Sequence, residues 1–266
     1  MQFLFDSEHT RKCSCGGQYR LIDGRKQFQC SKCRFQIAPC ANTIFHKSAT
    51  PLTSWFHAIW IFSNAKSGVS AKEMERQLEV TYKTAWRILH LIRKALKQGE
   101  GKLKGDVEMD EAFFGGRHYA GKNAEDRARM MAMKAAVIGA VERHGNIKAE
   151  IVEDLSSDSY KNFVDRNIER NATRLLTDGS NKMIKASIGM KREIVSHRNR
   201  EWARGDVHVN HIETFWSHVK RSLKGTHKVI SKKYLQEYLD AFVFHYNNRY
   251  SDRERFSALV YTLLRS

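Results

Sequence analysis

The sequence predicts a mixed α/β domain preceded by two small modules, one bearing cysteines and one helical. Three observations carry this: two close cysteine pairs before residue 34, helical apolar spacing from residue 53 to about residue 97, and strand-like runs interleaved with helices beyond residue 104. A length of 266 residues suits about two domains and a sizeable core. With 41% apolar and 11% aromatic residues the chain is no disordered basic tail, since it can bury enough surface to offset the entropy of ordering. Its 46 Lys and Arg exceed its 29 Asp and Glu by 17. Residues 1–104 hold 18 basic and 7 acidic residues (+11), and residues 105–266 hold 28 and 22 (+6), so the surplus is concentrated at the start. Such a balance favours a polyanionic partner over a small-molecule substrate.

No apolar run approaches the ~18 residues of a membrane span. The start, Met1-Gln2-Phe3-Leu4-Phe5-Asp6, lacks the basic and apolar regions of a signal peptide. A cytoplasmic, nucleoid-associated protein with no membrane partner is therefore expected. Reduced cysteines in that compartment, when clustered, point to metal.

Residues 1–46 form the first expected module. Cys13-Ser14-Cys15 and Cys30-Ser31-Lys32-Cys33 flank a segment whose Gly16-Gly17 and Asp23-Gly24 can turn a hairpin. Four thiolates can close a tetrahedron around one structural Zn2+, giving a zinc ribbon. So small a module would draw much of its folding free energy from the ion. The second pair has the usual two-residue gap and the first only one; Cys40 is an alternative ligand. Lys12, Arg20, Arg25, Lys26, Lys32 and Arg34 surround the cysteines, as suits a phosphate-contacting module.

Residues 47–100 form the second. Trp55, Phe56, Ile59, Trp60 and Phe62 recur at helical spacing until Gly68 breaks the pattern. Ser70 with Glu73 reads as a capping box for a helix bearing Met74 and Leu78. Glu79-Val80-Thr81 forms a turn, and a helix from about Tyr82 to Lys97 places Ala85, Ile88, Leu89, Ile92 and Leu96 inside. Two short helices joined this way resemble a helix-turn-helix, whose second helix enters the major groove. Lys83, Thr84 and Arg87 are then candidates for DNA contact. An ordinary helical hairpin with a solvated basic face is the alternative.

Residues 101–266 are expected to form the third domain. Asp106 to Gly116 reads as a strand ending in carboxylates and glycines. Lys134–Val141 and Ile147–Val152 flank the turn Arg143-His144-Gly145-Asn146 as a hairpin, and Ser157–Ile168 reads as a helix with Tyr160, Phe163, Val164 and Ile168 inward. The strand Thr173–Thr177 ends at Asp178-Gly179-Ser180. Three strands, a helix, a strand and further helices match an RNase H-like mixed sheet. In the helical block His208–Arg221, Ile212, Trp216, Val219 and Leu223 fall within about 60° of one another. Glu213 and Lys220 share a line roughly 80–100° away and can reach a cleft beside the sheet. In the first strand Glu111 points away from the face of Asp110, whereas Glu108 can join it. Asp206 and Asn210 lie near Glu213, Asn210 about 60° around the helix and a further candidate ligand. His197, His208, His211 and His218 are assigned no role.

These residues together resemble a family. Asp110 in Glu-Met-Asp-Glu-Ala, Asp178 in Thr-Asp-Gly-Ser, and Glu213 in Asn-His-Ile-Glu-Thr-Phe-Trp, with Lys220 seven residues on, resemble the Asp-Asp-Glu set of insertion-sequence transposases. The order of segments is similar to that of the bacterial group with an N-terminal zinc ribbon, a helix-turn-helix and this catalytic core. The similarity spans about residues 10 to 255, including Tyr246-Asn247-Asn248-Arg249. It implies a DNA transposase that binds inverted-repeat ends, then cleaves and joins strands. Asp110 and Asp178 would be shared ligands of two Mg2+ (or Mn2+), Glu213 would bind one of them, and Lys220 would contact a phosphate. Hard oxygen ligands suit those ions, which can drive in-line displacement at phosphorus. The basic run after Glu213, with Arg221, Lys224 and Lys228, would hold the DNA backbone, and the active form would be a homodimer or larger oligomer on DNA. A DNA-binding regulator with an inert core, and a structure-specific nuclease of the same fold, are the alternatives.

Overall fold

The computed structural model describes residues 12–25, 27–38, 40–41, 43–115, 125–126, 133–196, 201–228 and 230–264. Lys26 and His197 lie outside the described residues. The chain divides into two compact units: Met1–Ala65 with Ala71–Leu96 and Tyr250–Ser266, and Lys66–Ser70 with Lys97–Arg249.

The first unit begins with a three-stranded antiparallel sheet, β1 (Tyr19–Leu21), β2 (Phe28–Cys30) and β3 (Gln36–Ile37), in that order. Gly24, at φ 71°, supplies the left-handed turn between β1 and β2. Helices α1 (Leu52–Asn64), α2 (Ala71–Leu78) and α3 (Tyr82–Ala95) follow. Trp55, Ala58, Ile59 and Phe62 of α1 are buried, as are Ala85, Ile88, Leu89 and Ile92 of α3, each at helical spacing. Phe45 packs edge-on against Trp55 at 5.3 Å, and the Trp55 indole donates to Ser48 Oγ at 2.9 Å. Thr81 caps α3, its hydroxyl accepting from the Thr84 N–H at 3.3 Å. Trp60, expected among the apolar set of α1, is instead 56% exposed.

The last helix of the chain, Asp252–Leu264, belongs to this unit, although the sequence reading carries the third domain to residue 266. Its Arg255 is wholly buried and donates to the Ser63 carbonyl of α1 at 3.0 Å and to Asp252 at 2.9 Å. That bond between residues 192 apart has no local signature in the sequence.

The second unit is built on a five-stranded sheet of β4 (Leu103–Phe114), β5 (Ala135–Glu142), β6 (Ile147–Val152), β7 (Ile168–Asp178) and β8 (Lys191–Val195). Counted within this unit the order is 3-2-1-4-5; β6, β5 and β4 pair antiparallel, and β7 and β8 run parallel to β4. This is the RNase H-like mixed sheet. Helix α4 (Ser157–Asn167) covers one face, where Tyr160, Phe163 and Val164 meet Val107, Met109 and Ile138. Helices α5 (Asn210–Ser222) and α6 (Lys232–Asn247) cover the other, where Ile212, Phe215, Trp216, Val219, Leu239 and Phe242 meet Ala112, Phe114, Val137 and Val141. Strand alternation sorts β4 and β5 between the two cores.

β6 is an edge strand, and side chains cover its free edge. Gln98 accepts from the Ala149 N–H at 3.0 Å, Gln236 from Ile151 at 2.9 Å and Asn247 from Ile147 at 2.8 Å. The Tyr-Asn-Asn-Arg segment thereby acquires a structural task. Asn247 pairs with both backbone groups of Ile147, and Arg249 lies 4.2 Å from the Tyr246 ring and donates to the Gly145 carbonyl at 3.1 Å.

Candidate active site

The register of β4 and β7 brings the first two acids together. The ladder pairs Glu108 with Leu176 and Met109 with Thr177, so Asp110 and Asp178 occupy the next step, on strands about 4.8 Å apart. Asp178 closes β7, and Asp110 lies within β4 just beyond Met109 and Thr177, the last pair of the parallel β4–β7 ladder. The Asp178 carboxylate accepts the Ser180 N–H at 3.1 Å, which fixes its rotamer at the turn.

Glu213 stands in the first turn of α5, which is seated on the sheet in two ways. Gly139 lies opposite Asp110 in the β4–β5 ladder, and the Trp216 indole fills the space a side chain there would take. Glu108 ties the amino end of α5 to β4, accepting the backbone N–H groups of His211 at 2.8 Å and Ile212 at 3.3 Å. Asp110 feels the charge of both other acids. Burial, then the charges of Glu111, Asp178 and Glu213, push the Asp110 carboxyl up to about 7. Such a set of hard oxygen donors fits a divalent cation, which would relieve that repulsion. Asp110, Asp178 and Glu213 are the candidates to hold it.

Lys220 projects from the same helix two turns on, its Nζ 5.9 Å from the Phe114 ring at the end of β4. Asn210 lies exposed at the first residue of α5, where its backbone N–H donates to His208 Nδ1 at 3.4 Å. Asp206 does not turn toward the acids. It pairs with Arg174 at 2.5 Å, and Arg174 also forks onto Asp106 at 2.9 and 2.8 Å. Glu108 shares the face of Asp110 as alternation predicts, but it is wholly buried and fully engaged. Glu111 faces α4 and Tyr160, and burial followed by the Asp178 charge raises its carboxyl.

Arg192 on β8 escaped the sequence reading. It donates to Thr177 Oγ1 at 2.9 Å, the Asp178 carbonyl at 3.3 Å and the Ser180 carbonyl at 2.9 Å, clamping the turn that carries Asp178. Only its spacing from Thr177 across a parallel crossover could have signalled it, and the short edge strand β8 carries a weak apolar pattern.

In the first unit the Sγ atoms of Cys13, Cys15, Cys30 and Cys33 lie within 4.8 Å of one another. Gly17 is required there, because a Cβ would overlap Cys30 Sγ. Backbone N–H groups bring the Cys13 thiol down to about 6 and lower Cys30. Cys33 has a favourable Phe35 N–H but is driven up to about 12 by the neighbouring sulfurs. Four sulfurs gathered at one point suit Zn2+. The one-residue gap between Cys13 and Cys15 is accommodated by Gly16 at φ 75°. Cys40 stands outside the cluster, half-buried. Lys83 and Arg87 are exposed on the first turns of α3, with Thr84 part-buried between them; Arg221, Lys224 and Lys228 are exposed at and beyond the end of α5. Among the described residues no helix is long and apolar enough to cross a membrane.

Residues 102–247 match the family described as the ISXO2-like transposase domain. The chain is 26% identical over 239 residues to an uncharacterized protein in transposable element ISH50 of Halobacterium salinarum, covering 85% of this chain and 79% of that one. Among solved structures it is similar to the Mos1 transposase paired-end complex with left transposon end, at 12% identity and a TM-score of 0.33, covering 82% of this chain and 78% of that one.

Proposed function

From the membership of this chain in the ISXO2-like transposase domain family, we propose that it binds the ends of an insertion sequence and catalyses metal-dependent DNA cleavage and strand transfer. The observation that carries this reading is that Asp110 and Asp178 occupy adjacent steps of the parallel strands β4 and β7, with Asp110 held up to about 7 by burial and by the charges of Glu111, Asp178 and Glu213. When bound by these carboxylates, Mg2+ or Mn2+ supplies Lewis-acid chemistry, activating a water or a DNA 3′-hydroxyl and easing departure of the leaving oxygen.

The chain's own residues supply the rest. Asp110 and Asp178, fixed by strand register and by the Ser180 N–H, are the shared ligands, and Glu213 completes the set from α5. Lys220 neutralises a phosphate beside the scissile bond, and Arg221, Lys224 and Lys228 hold the backbone leading to it. Lys83, Thr84 and Arg87 on α3 read the end sequence, supported by a ribbon whose four cysteines hold Zn2+.

Incubating the protein with supercoiled plasmid, Mg2+ and the DNA flanking its coding region tests the whole reading. Joined products are expected. Nicks without joining would identify a nuclease, and binding without cutting would identify a regulator with an inert core.

A further inference from the structure

Glu108 is a carboxylate wholly buried beneath the amino end of α5. Its Oε2 accepts two backbone N–H groups of that helix, His211 at 2.8 Å and Ile212 at 3.3 Å. Its Oε1 accepts from Arg143 Nε at 2.9 Å and lies 2.8 Å from His211 Nδ1 and 3.3 Å from His208 Nδ1. Arg143 closes the cluster by donating to the His208 carbonyl at 3.1 Å. Burying a carboxylate costs several kcal/mol before its partners repay it, and a Ser or Asn cap would satisfy a helix end at less cost.

The location explains the choice of residue. Glu108 sits two residues before Asp110 on the same face of β4, and the two N–H groups it holds immediately precede Glu213. One side chain thus joins the strand bearing the first acid to the first turn of the helix bearing the third. From this geometry we infer that Glu108 is a positioning residue, which sets the distance between Asp110 and Glu213 and so the affinity of the acidic site for its cation. This rests on the reading of the three acids as the metal site.

The ligating atoms of Glu108, His208 and His211 lie within 4.8 Å of one another, so the same cluster invites a rival reading as a metal site of its own. The hydrogen bonds argue against it. Both oxygens of Glu108 already accept donors, and the Arg143 guanidinium supplies the positive charge that an ion would bring. Groups that orient metal ligands from behind typically change affinity 10–100-fold when altered.

The test measures Mn2+ binding to the full-length, zinc-loaded protein by electron paramagnetic resonance, with thermal melts alongside. Glu108→Gln is expected to weaken Mn2+ binding about tenfold. In a Glu213→Gln background the same change should have no further effect, because Glu108 acts through Glu213. Equal losses in both backgrounds, or no loss in either, would overturn the proposal, as would a second equivalent of zinc that His208→Ala releases. If Glu108→Gln does not melt cooperatively, His211→Ala carries the test, since it removes only one partner from Oε1; a smaller loss that again vanishes in the Glu213→Gln background is expected, and a persistent one refutes the role. Unchanged Mn2+ binding in Asp110→Asn would bring down the metal-site reading and the positioning role with it. A loss in Asp110→Asn without one in Glu108→Gln or His211→Ala would bring down the positioning role alone.

Discussion

The Trp216 indole occupies the place of the missing side chain at Gly139: a Cβ there would overlap Cζ2 and Cη2 of the ring and lie 3.2 Å from Ile212 Cδ1. Gly139 pairs with Asp110 across β4 and β5, and Trp216 is one turn beyond Glu213. The contact therefore sets the height of α5 above the strand that bears the first acid.

Gly139→Ala is expected to lower stability by about 1–3 kcal/mol, the usual cost of overpacking a filled core. It should also depress strand transfer although no acid is changed. Urea denaturation and a plasmid joining assay read the two effects. Gly139→Ala/Trp216→Phe should recover part of both, and a double variant no better than the single one would show that the indole is not what the methyl group meets.

Asp178→Ala should abolish cleavage and joining while leaving end binding intact. Lys83, Thr84 and Arg87 of α3, proposed to read DNA, lie in the other unit of the chain. A loss of at least about a hundredfold is the scale on which removing one preorganised electrostatic group slows an enzyme. Gel-shift with end DNA, beside the joining assay, checks the pair; strand transfer at the wild-type rate would remove Asp178 from the site.

Raising the Asp110 carboxyl to about 7 carries a pH dependence with a definite sign. Between the ordinary aspartate range near 4 and about 7 the folded, metal-free protein holds a proton that the unfolded chain has released, so this group's contribution to stability falls as pH rises through that window. Asp110→Asn should flatten the fall by an amount of order 2 kcal/mol, allowing for the part-exposed site. Denaturation in EDTA at pH 5 and pH 8 gives the difference. Below about pH 7 the cation must displace that proton, so Mn2+ affinity should drop by up to about tenfold per unit. An identical pH slope in wild type and Asp110→Asn would contradict the assignment.

How much of this was legible in the chain depended on whether a residue's partners were near it in sequence. Asp178 could be found because it ends an apolar strand run before a glycine, Asp110 because it stands among carboxylates in a strand that closes on glycines, and Glu213 because 3.6-residue periodicity separates it from the buried stripe. The same periodicity left out Phe215, which is buried beside Trp216, while Leu223, at the start of the π-helical turn Leu223–His227, packs part-buried against the same core. Glu108, Arg143 and Arg192 were not legible as a set. Arg143 lies in a hairpin turn whose residues read as loop, and it meets Glu108 only because β4 and β5 pair. The helix Asp252–Leu264 looked like a continuation of the catalytic domain because nothing local announces that Arg255 reaches Ser63.

Zinc removal should affect the first unit selectively. The ribbon has short strands of two or three residues, and apart from the ligand Cys30 only Phe28 among their apolar side chains is buried. A structural zinc site is worth on the order of 10 kcal/mol to such a fold. The purified protein is expected to carry one equivalent of zinc, and Cys30→Ser to lose it together with the order of the ribbon, while the sheet of the second unit keeps its melting transition. Metal analysis and amide exchange resolve the two units; full zinc occupancy after the substitution would reject the four-cysteine site.

Arg221, Lys224 and Lys228 should act on DNA through charge alone. They lie exposed at the end of α5 and in the turn after it, with Lys228 at φ 62°, a left-handed position that turns the chain toward α6. If each meets a phosphate, replacing one by Ala should weaken binding of every sequence alike and lower the slope of log affinity against log salt by about 0.9, so that the triple variant loses about 2.7. Replacing Lys83 or Arg87 should instead erode the preference for end DNA over unrelated duplex, if α3 meets base edges as proposed. Filter binding across a salt series, with cognate and unrelated duplexes, separates these effects. A triple variant with the wild-type slope would mean that the basic turn does not touch the backbone, and the path of DNA to Asp110 would then have to run along another face of the sheet.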